Sequence, residues 1–129
     1  MRFLLDTQAF FWVAQPEYEV PSHVVEALEG ADRVLVSDVS AFEVALKVRL
    51  GKFDAARALL GDWPTAVDRL EATSLALGTQ HAITAGSLDW PHRDPFDRLI
   101  VGQAIVEGLT LVTADRTVQR APGLDVLAW

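Results

Sequence analysis

Cysteine is absent from the 129 residues of this chain. Its absence excludes a disulfide scaffold, a thiolate metal site and a cysteine nucleophile. Long hydrophobic runs are absent too, and without about 18 uncharged apolar residues in a row no membrane-spanning helix is expected. Asp6 follows the N-terminus too closely for a signal peptide, so we expect a cytoplasmic protein that does not enter a membrane.

Positive charge is scarce, because eleven Lys and Arg stand against eighteen Asp and Glu and the formal charge is -7. A general binder of polyanions is usually basic, so the overall charge argues mildly against nucleic acid. Overall charge does not report local clustering, however. If five of the eighteen acids surrounded bound cations, the other thirteen acids and the eleven bases would give a remaining formal charge of -2. The acidity would then belong to a site.

Half of the residues are hydrophobic, which is enough for a buried core in one domain of this length. Strands are predicted at residues 2–5, 33–36, 72–75, 109–113 and 124–127. Helices are predicted between them, at residues 7–14, 22–30, 38–50, 54–70 (with a break near residues 61–64), 79–85 and 94–107, with a short one from Asp115. Because strands separated by helices pair in parallel, the sequence predicts one α/β domain over residues 1–129, with a parallel sheet flanked by helices on both faces.

The clearest helix, over residues 38–50, carries an apolar stripe that is predicted to face the core. The stripe is formed by Val39, Phe42, Leu46 and Leu50. Glu43 lies at its rim, so its carboxylate is expected to be half buried and to need a partner. The alternative is a capping box with Ser40, against which the earlier helix start near Asp38 argues.

Acidic residues follow the two most apolar strands. Asp6 comes directly after residues 3–5, and Asp115 comes shortly after residues 109–112. In a parallel sheet these positions lie at the carboxyl edge, where sites form. Asp at either position is also common as a helix N-cap or in a turn. Position alone therefore does not distinguish a functional acid from a structural one.

Asp94 and Asp97 lie three residues apart at a predicted helix start. Asp94 followed by Pro95 fits an N-cap with proline at N1, and Asp97 then occupies N3, where an acid favours the helix dipole. These structural roles are alternatives to a functional one. The helix field also keeps both carboxylates ionised, as metal ligands must be.

Together these acids form a set of hard oxygen ligands, which selects Mg²⁺ or Mn²⁺ in a chain without cysteine. The three histidines are scattered along the sequence, so a zinc site is not expected. His23 and His81 are predicted at the surface. His92 is predicted in a loop near the acids, beside the site rather than as a ligand.

Four motifs occur in order along nearly the whole chain. They are Leu4-Leu5-Asp6-Thr7, Ser37-x-x-Ser40-x-Phe42-Glu43-x-Ala45-x-Lys47, His92-Arg93-Asp94-Pro95-Phe96-Asp97-Arg98-Leu99-Ile100 and Leu111-Val112-Thr113-x-Asp115. In this order and spacing the sequence resembles the PIN-domain ribonucleases, in particular the VapC-type toxins of toxin–antitoxin pairs. Two positions depart from the pattern of close relatives, which often carry His at Gln8 and Trp at Phe42.

The resemblance implies a PIN-like fold and a set of catalytic acids, with an additional acid of this subgroup at Asp94. The four main positions match Asp6, Glu43, Asp97 and Asp115. They are expected to hold one or two Mg²⁺ or Mn²⁺ ions in one acidic pocket. With no positioned Ser–His pair evident, water is the expected nucleophile, and hydrolysis of an RNA phosphodiester is the expected reaction.

Three arginines lie beside the acids in sequence and are candidates for binding RNA phosphates, or alternatively for surface ion pairs. They are Arg93, Arg98 and Arg116. The resemblance also implies a small antitoxin protein folded onto the chain. Val25, Val44 and Val48 lie off the predicted core stripes and are candidates for that surface, or for packing within the chain or in a homodimer. A homodimer is the expected oligomeric state of the chain.

Two other functions are compatible with an acidic α/β domain. One is a PIN-like module that binds RNA or protein without catalysis, against which the presence of all four acids argues. The other is a receiver-type signalling domain with a Mg²⁺ site. That class requires an acidic pair after the first strand and a lysine near the end of the penultimate strand, whereas Thr7 and Gln8 follow Asp6 and the last lysine is Lys52.

Overall fold

Five parallel strands form the sheet of the computed structural model, which describes all 129 residues. The strands are β1 (Arg2–Leu5), β2 (Arg33–Ser37), β3 (Thr73–Leu75), β4 (Thr110–Thr113) and β5 (Val126–Ala128). Their order across the sheet is β3-β2-β1-β4-β5, and every neighbouring pair is parallel. The predicted fold class is therefore confirmed.

Eight α-helices connect and cover the strands. They are α1 (Thr7–Val13), α2 (Ser22–Glu29), α3 (Asp38–Arg49), α4 (Arg57–Gly61), α5 (Trp63–Arg69), α6 (Thr79–Ser87), α7 (Pro95–Glu107) and α8 (Arg116–Gln119). A 3₁₀ turn at Asp54–Ala56 precedes α4. None of the helices has the length and apolar character that crossing a membrane requires.

Two hydrophobic clusters lie on opposite faces of the sheet, because successive residues of a strand point to opposite sides. Phe3 and Leu5 belong to the larger cluster, with residues of α1, α2 and α3. Leu4 belongs to the other, with residues of α7 and α8. All three side chains are buried, as expected for a continuous apolar run in a sheet that is covered on both faces.

The buried face of α3 differs from the predicted one. Val39, Ser40, Glu43, Val44 and Val48 are buried. By contrast, 62% of Phe42 and 49% of Leu50 are exposed. The predicted stripe is therefore confirmed at Val39 and wrong at Phe42 and Leu50, because the helix instead buries Ser40 and Glu43 next to the acidic cleft described below. Glu43 therefore lies within the buried face of the helix, not at its rim.

Close packing of α6 on α7 depends on a glycine. A Cβ atom at Gly102 would lie 2.8 Å from the Cβ of Ala85 and 2.8 Å from the carbonyl oxygen of His81. His81 is buried between these helices, so its predicted surface position is wrong. Its Nδ1 accepts the Gly78 N–H, and its Nε2 therefore carries the proton that is donated to Glu107.

Parallel pairing brings the carboxyl ends of all five strands to one edge of the sheet. Asp6 follows β1 and begins α1, and Ser37 ends β2 and caps α3. Asp115 follows β4 and begins α8. The side chains at these junctions are therefore brought to the same edge.

Candidate active site

An open cleft of about 570 Å³ lies at the carboxyl edge of the sheet. All five acids selected from the sequence are among its lining residues. The full lining is formed by Asp6, Thr7, Gln8, Trp12, Glu43, Lys47, Lys52, Phe53, Asp94, Asp97, Ala114 and Asp115. Residues that are up to 109 positions apart in the chain thus share one cleft.

Three of these acids, Asp6, Asp94 and Asp115, are helix N-caps as well as cleft residues. In each, the Oδ1 atom accepts a backbone N–H of the first helical turn, at 2.8 to 3.0 Å. The second oxygen takes no part in the cap. The two interpretations that the sequence left open are therefore compatible, because capping fixes each carboxylate and leaves one oxygen for another partner.

Asp6 is the most deeply placed of the capping acids. Burial raises the pKa of its carboxyl from 3.8 to about 6, and the charges of Asp97 and Asp115 add to the rise. Hydrogen bonds from Thr113 and from the Ala9 N–H oppose it. The acids thus interact unfavourably across the cleft, which a bound cation would relieve.

Glu43 is held by a chain of hydroxyl groups. Thr7 Oγ1 donates to Glu43 Oε1 at 2.6 Å and lies 2.9 Å from Ser40 Oγ. Because Thr7 has a single hydroxyl proton, Ser40 is the donor to Thr7. The predicted alternative of a capping box is wrong, since Ser37 caps α3 and Ser40 bonds to another helix.

The buried charge of Glu43 has a partner, as expected. Lys47, one helical turn later, forms an ion pair with Glu43 Oε2. Partial burial alone would lower the pKa of Lys47, but the hydrogen bond and charge of Glu43 raise it, with contributions from Asp94 and Asp97. Lys47 is therefore a fixed ammonium group within the acidic cleft.

Asp97 is oriented by a histidine. His92 Nε2 lies 2.7 Å from Asp97 Oδ2, and the His92 ring packs on Trp90 with centroids 4.8 Å apart. Burial raises the pKa of Asp97 and the charges of Asp94 and Glu43 add to it, while the His92 hydrogen bond lowers it. His92 is predicted to lie beside the acids without being a ligand, and its hydrogen bond to Asp97 is consistent with that position.

The donor set fits a hard divalent cation that keeps water ligands. Five carboxylates and no sulfur ligand line the cleft. No three His, Asp or Glu side chains converge closely enough to hold a metal ion by themselves. Mg²⁺ is commonly bound through one or two carboxylates, with waters and substrate phosphates completing its shell. Asp97 and Asp115 both raise the pKa of Asp6 through their charges, so these three acids are close enough to interact across the cleft.

The three candidate arginines are not part of the cleft lining. Arg98 donates through Nε, Nη1 and Nη2 to five backbone carbonyls, those of Ala85, Gly86, Leu88, Trp90 and His92. A guanidinium has five N–H donors, so none is left for a phosphate. Arg93 and Arg116 are exposed and form neither a hydrogen bond nor an ion pair through their side chains.

Other cleft residues were not selected as site candidates from the sequence. They are Thr7, Gln8, Trp12, Lys47, Lys52 and Phe53. A signal was available for the lysines, because the chain has only these two and both follow Glu43 within nine residues. No periodicity marks Trp12 and Phe53, whose aromatic rings are ordinary components of a core.

Comparison with known proteins defines the class to which this fold and cleft belong. Residues 3–124 match the family model described as PIN domain. Over 117 residues the chain is 32% identical to Ribonuclease VapC22 of Mycobacterium tuberculosis (strain ATCC 25618 / H37Rv), a match that covers 88% of this chain and 86% of that protein. The chain therefore belongs to the PIN-domain family, among its VapC-type members.

Solved structures share the fold at low sequence identity. VapBC2 from Rickettsia felis, bound to a promoter DNA fragment, matches with a TM-score of 0.73 and 19% identity, covering 100% of this chain and 99% of that one. DNA-bound VapBC from Salmonella typhimurium matches with a TM-score of 0.70 and 24% identity, covering 100% and 98%. These matches support the PIN fold across the length of the chain.

Proposed function

We propose that this protein is a metal-dependent endoribonuclease that hydrolyses RNA phosphodiester bonds and acts as the toxin of a toxin–antitoxin pair. The observation that carries the proposal is the gathering of five carboxylates in one cleft of a VapC-type PIN domain. Family membership rules out the receiver-type alternative. A non-catalytic binding module is the remaining alternative, and the assay below distinguishes it.

The proposed cofactor is one or two Mg²⁺ or Mn²⁺ ions, bound by Asp6, Glu43, Asp97 and Asp115 with Asp94 nearby. Because no three of these side chains converge on one point, water and substrate oxygens would complete the coordination shell. When bound, such a cation stabilises negative charge on the phosphate and makes a water molecule more acidic. The protein contributes fixed carboxylate positions. Helix caps hold three of the acids, His92 orients Asp97, and Thr7 with Lys47 holds Glu43.

Water is the proposed nucleophile, because the chain has no cysteine and its site residues include no Ser–His pair. The ionised carboxylates can accept the proton that the attacking water loses. Their arrangement supports the proposal of a bound cation, because five negative side chains repel an approaching phosphate unless their charge is offset.

A cleavage assay tests the proposed activity. Labelled RNA is incubated with the purified protein in Mn²⁺, in Mg²⁺ and in EDTA. We expect cleavage only with metal, and a loss of at least a hundredfold in rate for Asp97→Asn and Asp6→Asn, since each removes a ligand charge. Asp68→Asn, which changes an exposed acid outside the cleft, is the matched control and should cleave normally. Equal rates for Asp97→Asn and the unchanged protein would contradict the site assignment.

The proposed partner is a cognate antitoxin, which is supported by the likeness to VapC-type proteins and to VapBC structures. The surface predicted from the sequence is wrong in part, because Val44 and Val48 are buried in the larger core cluster. Only Val25 of the three is exposed, at 37%. The spacing of Val44 and Val48 predicts an exposed position for both, whereas the face of α3 that contains them is the one packed on the core.

Co-expression with the upstream open reading frame tests the partner. We expect the neighbouring protein to co-purify and to suppress RNA cleavage. If it neither co-purifies nor suppresses cleavage, the toxin assignment fails while the nuclease assignment stands. Light scattering of the free protein tests the predicted homodimer separately.

A further inference from the structure

Both lysines of this acidic chain line the cleft, although nine arginines are distributed elsewhere. Lys47 is committed to its ion pair with Glu43. Lys52 is exposed, and its side chain forms no hydrogen bond or ion pair. Lys52 is therefore the one unpaired cation in a lining that holds five carboxylates.

Backbone hydrogen bonds at the C-terminus of α3 fix the position of Lys52. Helix α3 ends at a Schellman motif, in which the Lys52 N–H donates to the Lys47 carbonyl at 2.8 Å and the Gly51 N–H donates to the Val48 carbonyl at 3.0 Å. Gly51 has φ 73°, and no atom lies within 4 Å of a Cβ placed there. Position 51 therefore requires glycine because of its positive φ angle, and not because a side chain would clash. The motif places Lys52 and Phe53 on the cleft.

Two aromatic rings line the cleft together with Lys52. Trp12 is half-buried on α1, one turn after Gln8, and its ring contacts Trp129 with centroids 4.8 Å apart. Phe53 is half-buried and packs edge-on against Phe11 at 4.9 Å. Each ring packs against another aromatic ring, so it loses little conformational freedom when a ligand stacks on it.

A free ammonium group beside fixed aromatic rings suits an unpaired nucleic-acid strand. The ammonium pairs with backbone phosphates, and bases stack on the rings. A duplex offers its phosphates but keeps its bases stacked on one another. The cleft therefore favours a strand whose bases are exposed.

We propose that Lys52, Trp12 and Phe53 bind the substrate strand next to the scissile phosphate, with Lys52 on a backbone phosphate and the rings on an unpaired base. This subsite rests on the proposed ribonuclease function. Of the arginines expected from the sequence to bind phosphates, Arg98 has no free donor. Arg93 and Arg116 are exposed outside the cleft lining and stay candidates for more distant phosphates.

Equilibrium binding tests the subsite without catalysis. Fluorescence anisotropy with a fluorescein-labelled RNA decamer of random sequence is measured in EDTA, where metal-dependent cleavage is absent. We expect Lys52→Ala to bind about tenfold more weakly. The slope of log K against log salt should fall by about 0.7, as for one lost single-strand phosphate contact. Lys52→Arg keeps the charge and should retain most of the affinity.

The matched control is Arg33→Ala, which removes an exposed cation at the start of β2, at the opposite edge of the sheet. It should bind the decamer like the unchanged protein. A fully paired RNA duplex of the same length should compete at least tenfold less well than the single strand. Trp12→Ala should weaken binding and Trp12→Phe should restore part of it, because a ring for stacking is regained.

Steady-state cleavage gives a second readout. Lys52→Ala should raise KM about tenfold with a smaller effect on kcat, because the contact is made with bound substrate as well as in the transition state. Mn²⁺ affinity measured by calorimetry should not fall in this variant, which separates strand binding from damage to the carboxylates. Thermal melting confirms that each variant is folded.

The subsite and the proposed function fail in different ways. If Lys52→Ala binds and cleaves RNA like the unchanged protein, or if the duplex binds as well as the single strand, the subsite is overturned and the nuclease assignment stands. If the decamer binds through Lys52 but no RNA is cleaved with any metal, the proposed function is overturned and the subsite stands.

Discussion

At the scale of single residues, the carboxylate of Asp6 is destabilised by its surroundings. Burial removes most of its hydration, and Asp97 and Asp115 add negative charge nearby. Two hydrogen bonds, from Thr113 and from the Ala9 N–H, offset only part of this cost. The metal-free cleft thus keeps an unfavourable charge in place, which is typical of a site arranged for a ligand.

The pH dependence of stability follows from the raised pKa of Asp6. The folded state favours the protonated form, so this group contributes stability that is fully present below pH 3.8 and is lost as pH rises through about 6. The difference corresponds to about 3 kcal/mol, at about 1.4 kcal/mol per pKa unit. We expect the metal-free protein to lose stability mainly between about pH 4 and pH 6 relative to Asp6→Asn, which retains a good N-cap.

Urea unfolding of both proteins in EDTA at several pH values measures this difference. The difference in unfolding free energy between the unchanged protein and Asp6→Asn isolates Asp6, because the other titrating groups are common to both. A constant difference in unfolding free energy between pH 4 and pH 8 would show that Asp6 has no raised pKa. Asp97, whose pKa is raised as well, should contribute in the same direction.

The acids of the site were predictable because their positions follow from general rules. A residue directly after a buried parallel strand lies at the carboxyl edge, which places Asp6 and Asp115. The roles of Lys52 and Arg98 could not be predicted from the sequence, because they depend on what each side chain meets in space. Arg98 has five carbonyl partners from residues 6 to 13 positions earlier, and no sequence pattern marks them.

At the scale of elements, Arg98 joins α7 to the last turn of α6 and to the segment that follows it. Its five hydrogen bonds hold residues 85–92 and so place His92 against Asp97. A lysine ammonium carries all its N–H donors on one nitrogen and cannot reproduce the planar arrangement of the five guanidinium donors. We expect Arg98→Lys to lower the unfolding free energy by about 2 kcal/mol. It should also speed amide hydrogen exchange in residues 85–92.

Arg93→Lys is the matched control, because Arg93 is exposed and makes no side-chain hydrogen bond. Its stability should change by less than about 0.5 kcal/mol. Similar exchange rates in Arg98→Lys and the unchanged protein would contradict the role of Arg98 in holding this segment.

The α6–α7 contact supplies a second prediction at this scale. In Gly102→Ala the added methyl group would meet the Ala85 Cβ and the His81 carbonyl at 2.8 Å. Overpacking of this kind costs about 1–3 kcal/mol, which outweighs the gain of about 1 kcal/mol in helix propensity. We expect a lower urea midpoint. Gly86→Ala, where no atom lies within 4 Å, should raise it; equal midpoints for the two variants would contradict this packing.

Most element positions could be predicted, and the orientation of α3 could not. The apolar runs that form β1 and β4 are unambiguous, because both faces of these strands are buried. On α3, hydrophobic periodicity points to the face of Phe42 and Leu50, whereas the buried face includes Ser40 and Glu43. Periodicity fails where a helix buries polar groups beside a site.

At the scale of the whole molecule, acidity is not confined to the cleft. Five acids and both lysines line it, and the remaining thirteen acids and nine arginines still give -4. The expectation that the acidity belongs to a site therefore holds only in part. An acidic surface offers little general attraction to RNA, so we expect binding to depend on local cations such as a bound metal, Lys52 or the exposed Arg93 and Arg116.

The central claim is that the acids of the cleft bind a divalent cation, and calorimetric titration of the metal-free protein with Mn²⁺ tests it most directly. We predict saturable binding by the unchanged protein and by Asp68→Asn. Asp97→Asn should bind at least tenfold more weakly, because one ligand charge is lost. Absence of saturable binding at millimolar Mn²⁺, or equal affinity in Asp97→Asn, would contradict the account.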